Sequence, residues 1–143
     1  MALPRIRTIL VPIDGSKNST RGLMEAIGIA RAFRAKVTVL HVIPGIPSIP
    51  TTDTMAEYRQ SMKKEAREFF LEVRKTALQY KTSLTEKVIF GNPQEEIADY
   101  ANEKKYDLIV IGARGLSSIK QVFLGSVSNA TLHKSKMPVL IVR

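Results

Sequence analysis

The 143-residue chain has no cysteine and no tryptophan, and aromatic residues make up only 6% of it. Without cysteine there is no disulfide, thiolate metal site, iron–sulfur cluster or cysteine nucleophile. The same absence fits a reducing, cytoplasmic setting. With so few aromatics the chain has few platforms on which bases could stack. No apolar run approaches the roughly 18 residues of a membrane span. Residues 1–7 lead directly into Thr8-Ile9-Leu10-Val11 without an apolar leader and cleavage site. A soluble protein without a membrane partner is therefore expected. Acidic residues are also scarce: 13 aspartates and glutamates face 22 lysines and arginines, a net charge of +9. What is present is an ordinary 44% of apolar residues, enough for one compact domain over residues 1–143.

Periodicity supplies the elements. Ile6 to Ile13 reads as a first strand, closed by the turn signal Asp14-Gly15-Ser16. Leu23, Ile27, Ala30 and Phe33 recur at helical spacing, with Ser16 or Ser19 available as the cap. Lys36 to Ile43 is a β-branched strand, and the proline-bearing stretch Pro44 to Asp53 is an irregular connection. Met55, Tyr58, Met62, Ala66, Phe69, Val73 and Ala77 mark a long amphipathic helix. Leu84 to Phe90 is a weaker strand suited to a sheet edge. Asn92 and Pro93 then open a third helix as N-cap and first helical residue. Tyr106 to Ile111 is the most continuous apolar strand. Ser126 to Ser135 is a fourth helix, and Pro138 to Val142 a last strand. Strands alternating with helices predict an α/β fold: a single doubly wound three-layer domain on a five-stranded parallel sheet.

In such sheets ligands bind beyond the carboxyl ends of the strands. Two polar, glycine-bearing turns fall there, Asp14-Gly15-Ser16 and Gly112-Ala113-Arg114-Gly115. The second continues to Gly125-Ser126 at the start of the fourth helix. Glycines permit close approach of a ligand, and N–H groups at a helix start carry partial positive charge toward an anion. Ser126 and Ser128 add hydroxyls, and Arg114 a guanidinium. Taken alone, the glycines favour the plainer reading of a strand end, a turn and a helix cap. The pattern is neither a Walker loop nor the dinucleotide fingerprint. Asp14 is weighed as a helix cap against a ligand contact at the strand end. His41 reads as structural and His133 as a complement to a helix C-terminus. Neither has a sequence-evident catalytic or metal partner.

These residues carry a resemblance. Ile9 to Ser16, Val39 to Val42, Gly91-Asn92-Pro93, Asp107 to Gly112, Leu124 to Ser128 and Pro138 to Val142 resemble the universal stress protein family over nearly the whole chain. Gly112, Gly115, Gly125 and Ser126 satisfy the G-x2-G-x9-G-[ST] pattern of its ATP-binding branch. The resemblance implies an adenine nucleotide alpha hydrolase-like sheet of order 3-2-1-4-5. It implies Pro12, Asp14 and Val42 on the adenine and ribose side, and Ile111, Gly112 and Gly115 along ribose and phosphates. Gly125, Ser126, Val127 and Ser128 would hold the phosphate chain. Arg114 stands at a variable position, so its phosphate role rests on charge. ATP would bring Mg2+ or Mn2+, held mainly by phosphate oxygens and water. The last strand, Pro138 to Val142, would pair across a two-fold axis in a homodimer.

The leading expectation is an ATP-binding stress-response switch or binding module. The alternatives are a weak or partner-dependent ATPase and, less favoured, a basic nucleic-acid-binding protein. No catalytic residue and no protein metal ligand are assigned. Residues 1–36 hold seven basic and two acidic residues, and 108–143 hold five basic and none acidic. Residues 37–107 hold ten and eleven. The surplus thus falls in the two segments expected to enclose the nucleotide, with Arg5, Arg31 and Arg34 left open. That distribution favours a compact polyphosphate over a long nucleic acid.

Overall fold

The computed structural model describes residues 2–45, 52–116 and 124–143. In chain order the elements are β1 (Thr8–Pro12), α1 (Lys17–Phe33), β2 (Lys36–Ile43), α2 (Thr52–Gln79) and β3 (Leu84–Phe90). Then follow α3 (Pro93–Lys104), β4 (Leu108–Gly112), α4 (Ser126–Lys134) and β5 (Val139–Val142). All four strand pairs are parallel and the sheet order is β3-β2-β1-β4-β5. The crossovers run one way from β1 to β3 and the other way from β3 to β5. With right-handed crossovers, α1 and α2 cover one face and α3 and α4 the other.

Each face has its own core. Ile9, Val11, Val37, Val39 and Val110 point toward Leu23, Ala26 and Ile27 of α1 and Ala66, Phe70 and Val73 of α2. Leu10, Leu40, Ile109 and Ile111 point toward Ile97 and Ala101 of α3, with Val127 of α4 beside them. Strands buried on both faces explain the continuous apolar runs of β1 and β4.

β2 and β3 begin and end where the sequence places them. β1 is shorter than expected, because its pairing with β2 starts at Thr8↔Lys36. Asp53 belongs to α2 rather than to the preceding connection; residues 46–51 of that connection lie outside the described residues. The choice of α1 cap falls to Ser16, whose hydroxyl accepts the Ser19 N–H at 3.1 Å. Asn92 caps α3, accepting from Gln94 N–H. Phe33 departs from its helical pattern: Leu23, Ile27 and Ala30 are buried, but Phe33 is 59% exposed. It is the last residue of α1, beyond the edge of the sheet it was expected to cover.

Asp107 ties the start of β4 to the start of β1. Its Oδ2 accepts the N–H of Arg7 at 2.8 Å, the N–H of Thr8 at 3.0 Å and the Thr8 hydroxyl. Burial pushes its carboxyl up, but these donors and the Arg7 charge outweigh that and hold it below its ordinary value of 3.8. The stabilisation is complete above that ordinary value and is lost as pH falls through the lower folded-state value. Asp107→Asn is therefore expected to lower the urea midpoint at neutral pH. In strong acid, where the wild-type carboxyl is itself protonated, the gap should close.

Thr131, on the buried side of α4, is fully enclosed, and its hydroxyl finds no partner among the described residues. Valine has nearly the same shape without the hydroxyl. Thr131→Val is expected to raise stability by about 1 kcal/mol, the low end of the cost of an unsatisfied buried polar group. Chemical denaturation would read it.

Candidate functional site

Beyond the carboxyl ends of β1, β2 and β4, where crossovers diverge to opposite faces, the fold leaves a crevice of about 730 Å³. That lies within the roughly 300–1,000 Å³ typical of small-ligand sites. All eleven sequence-predicted site residues line it: Pro12, Asp14 and Val42; Ile111, Gly112, Arg114 and Gly115; and Gly125, Ser126, Val127 and Ser128. The topology brings them together because β1 lies between β2 and β4.

One end of the crevice is apolar. Pro12, Val42 and Ile111 are buried at strand ends, and Ile97 of α3 closes the wall behind them. The opposite side is built of backbone. Gly125 is the N-cap of α4 and offers no side chain to cap it, whereas α1 and α3 are capped by Ser16 and Asn92. Among the described residues, no side chain caps the first-turn N–H groups of α4 at the crevice. Ser126 is exposed there.

Asp14 sits between the two turns. Its Oδ1 accepts the Ser16 N–H at 2.9 Å, and its Oδ2 accepts the Leu116 N–H at 3.2 Å. The carboxylate thereby links the β1 turn to the glycine loop across about one hundred residues of chain. Each oxygen keeps lone-pair capacity for a further donor such as a ribose hydroxyl.

The glycines are not equivalent. A Cβ on Gly112 would lie 2.7 Å from the carbonyl carbon of Asn18 and 2.9 Å from its Cβ. Gly112 is therefore required by the packing of α1 on β4, before any ligand is considered. A Cβ on Gly115 would lie 2.5 Å from Asp14 Oδ2, so this glycine admits the carboxylate. A Cβ on Gly125 would meet nothing closer than 3.5 Å. Of the three, only Gly125 has no steric reason within the described protein to be glycine.

Ser128 corrects its expected role. It is buried, and its hydroxyl donates to the Ala113 carbonyl at 2.7 Å, with Gly125 O at 3.1 Å. Its hydroxyl proton is committed to holding the loop on α4, which leaves only the backbone N–H of Ser128 for a phosphate. His41 keeps the structural contacts expected of it and also lines the crevice. Its Nδ1 lies 2.9 Å from Ile13 O, and its ring meets Phe69 at 5.1 Å between centroids. Pro93 and Ile97 were also missed. The sequence placed them on a helix, and only the crossover from β3 to β4 carries that helix over the site.

The charge argument is corrected as well. Arg114 is the one lysine or arginine among the described residues lining the crevice. Arg5 and Arg7 precede β1, and Arg31 in the last turn of α1, Arg34 after it and Lys36 at the start of β2 flank the α1-to-β2 connection, all at the opposite ends of the strands. Proximity in sequence to the site does not imply proximity in space, because a parallel strand carries its two ends to opposite poles.

Asp14 is also the one carboxylate among the described lining residues. Those residues contain no group of three or more potential metal-ligating side chains. The donor set suits a cation that takes most of its ligands from elsewhere.

The sequence profile described as the universal stress protein family matches residues 5–143. The chain belongs to this family. Among universal stress proteins, YxiE of Bacillus subtilis is 34% identical over 146 residues, covering 94% of this chain and 97% of the relative. UspA from Lactobacillus plantarum superposes with a TM-score of 0.85 at 27% identity, covering 99% and 100% of the two chains. A universal stress protein solved in complex with cAMP gives a TM-score of 0.75 at 28% identity, covering 96% and 97%. The five-stranded sheet of order β3-β2-β1-β4-β5 with helices on both faces matches the universal stress protein fold.

Proposed function

We propose that this protein binds ATP in the crevice and acts as a nucleotide-dependent switch or binding module in a stress response. The observation that carries the reading is the pairing of an apolar slot with an uncapped α4 N-terminus across the Asp14-tethered glycine loop. The base would enter between Pro12, Val42 and Ile111, the ribose would meet Asp14, and the phosphates would reach Gly115, Gly125, Ser126 and Val127. Arg114 would add charge on the phosphate side. The cAMP-bound relative supports the nucleotide class. Mg2+ or Mn2+ would be held mainly by phosphate oxygens and water, since the crevice brings a single carboxylate.

The test is mass spectrometry of co-purifying small molecules, with calorimetric titration of ATP, AMP and cAMP. ATP is expected to bind tightest, because the uncapped helix rewards added phosphate charge. No heat with any nucleotide would end the reading, and equal affinity for AMP would remove the phosphate assignments. We read a binding protein rather than a robust ATPase, since both Asp14 oxygens already accept N–H bonds. Rapid turnover lost in Asp14→Ala would reverse that.

The homodimer belongs to the same proposal. β5 is an edge strand, with Leu140 37% exposed, and its unpaired side invites a second copy. Light scattering should give twice the chain mass, and Leu140→Glu should give one. A monomeric wild-type protein would refute it.

A further inference from the structure

The positive charge that the crevice leaves unused gathers at the other pole. Because every strand is parallel, the approach to β1 and all four α-to-β connections end at one level, beyond the amino ends of the strands. These stretches are residues 2–7, 31–36, 79–83, 103–107 and 133–138. They contain ten of the 22 lysines and arginines, every one exposed, and two of the 13 carboxylates. Arg5, Arg7, Arg31, Arg34 and Lys36 form the densest part, and five lysines are spread over the other three connections. The rest of the chain is nearly balanced, with twelve basic and eleven acidic residues. Of the two carboxylates at the pole, Asp107 is engaged by the Arg7 and Thr8 N–H groups, and Glu103 lies 3.8 Å from Lys104 Nζ.

A second observation lies on the same pole. Leu3 is 88% exposed, Phe33 59% and Leu78 79%. Phe33 is the last residue of α1, flanked by Arg31 and Arg34, and Leu78 lies in the last turn of α2 beside the connection to β3. A nucleic-acid backbone would satisfy the cations but would gain nothing from the aliphatic Leu3 and Leu78. A bilayer interface takes both, phosphate headgroups for the cations and the acyl boundary for the apolar groups.

We propose that this pole docks on an anionic phospholipid bilayer, with Arg5, Arg31, Arg34 and Lys36 at headgroup phosphates and Phe33 entering the interface. The expected absence of a membrane partner rested on the lack of a spanning segment. No helix among the described residues is long and apolar enough to cross a membrane, and surface docking needs none. The proposal is independent of the nucleotide reading, because the crevice lies at the opposite ends of the strands.

The test is co-flotation of the full chain with phosphatidylcholine vesicles, with and without phosphatidylglycerol. Binding is expected only with the anionic lipid and should fall as salt rises. Each cation removed should weaken partitioning roughly fivefold, so Arg5→Gln/Arg31→Gln/Lys36→Gln should lose roughly a hundredfold. Phe33→Ser should weaken flotation while leaving retention on duplex DNA unchanged. Circular dichroism and nucleotide titration should not move in either variant. Absent flotation, equal binding to both vesicles, or a triple variant that floats like wild type would overturn the proposal. Tight duplex-DNA binding without vesicle binding would assign the pole to nucleic acid instead.

Discussion

Gly112→Ala is expected to destabilise the protein by about 1–3 kcal/mol, the usual penalty for overpacking a tight interior contact. The added Cβ would sit 2.7 Å from the backbone carbon of Asn18. That atom belongs to the first turn of α1 and has no rotamer by which to retreat. α1 would have to lift from β4 as a body, disturbing Leu23, Ala26 and Ile27 beneath it. Urea denaturation monitored by circular dichroism would measure the loss. Gly125→Ser makes the contrast. Its Cβ has room, and its hydroxyl would supply the side-chain cap that α4 lacks. Replacing glycine by serine at an N-cap is worth only a few tenths of a kcal/mol in stability. The same hydroxyl would occupy the N–H groups offered to phosphate. Stability unchanged or slightly raised, with ATP affinity lowered, is the expected pair of results. A Gly112→Ala protein as stable as wild type would show that α1 does not press on β4 as described.

The second large effect is expected at Asp14. Asp14→Ala removes one acceptor from the Ser16 N–H and one from the Leu116 N–H. Hydrogen bonds to a charged group contribute about 1.5–3 kcal/mol, so ATP affinity should fall roughly ten- to a hundredfold. Part of that loss would be direct, from the proposed ribose contact, and part would come from release of the glycine loop. Asp14→Asn separates the two. One amide oxygen can still accept an N–H, so the loop is partly retained while the charge is gone. Calorimetry on both variants would apportion the effect. Unaltered ATP binding in Asp14→Ala would dismiss this residue from the site.

Much of the fold was legible in the sequence because its signals were local. β2 and β3 are bounded by turn residues, and α3 announces itself through Asn92 and Pro93. The motif residues share one crevice because they fall at the ends of strands that lie next to one another in the sheet, an adjacency that the fold class implied and that no local signal carried. What the sequence concealed was set by tertiary contacts. Nothing local distinguishes Gly112, pressed by α1, from Gly125, which has room. Nothing local says that the Ser128 proton is given to Ala113 across fifteen residues. Phe33 continues a helical stripe, yet the sheet beneath it has ended. The charge was misread for the same reason: counting along the chain ignores that each strand reverses which pole a residue occupies.

The close fit of α1 on β4 has an evolutionary corollary. Gly22 is not part of it, since a Cβ there would make only ordinary contacts, 3.5 Å from Gly112 N and 3.7 Å from Ile111 C. Among the described residues, the tight volume between helix and strand is shared by Asn18 and Gly112 alone. Because the Asn18 atoms are mostly backbone, bulk gained at position 112 can be absorbed only by a shift of the helix. A divergent relative with a side chain at position 112 should therefore carry α1 farther from β4, whether or not it retains the rest of the glycine motif.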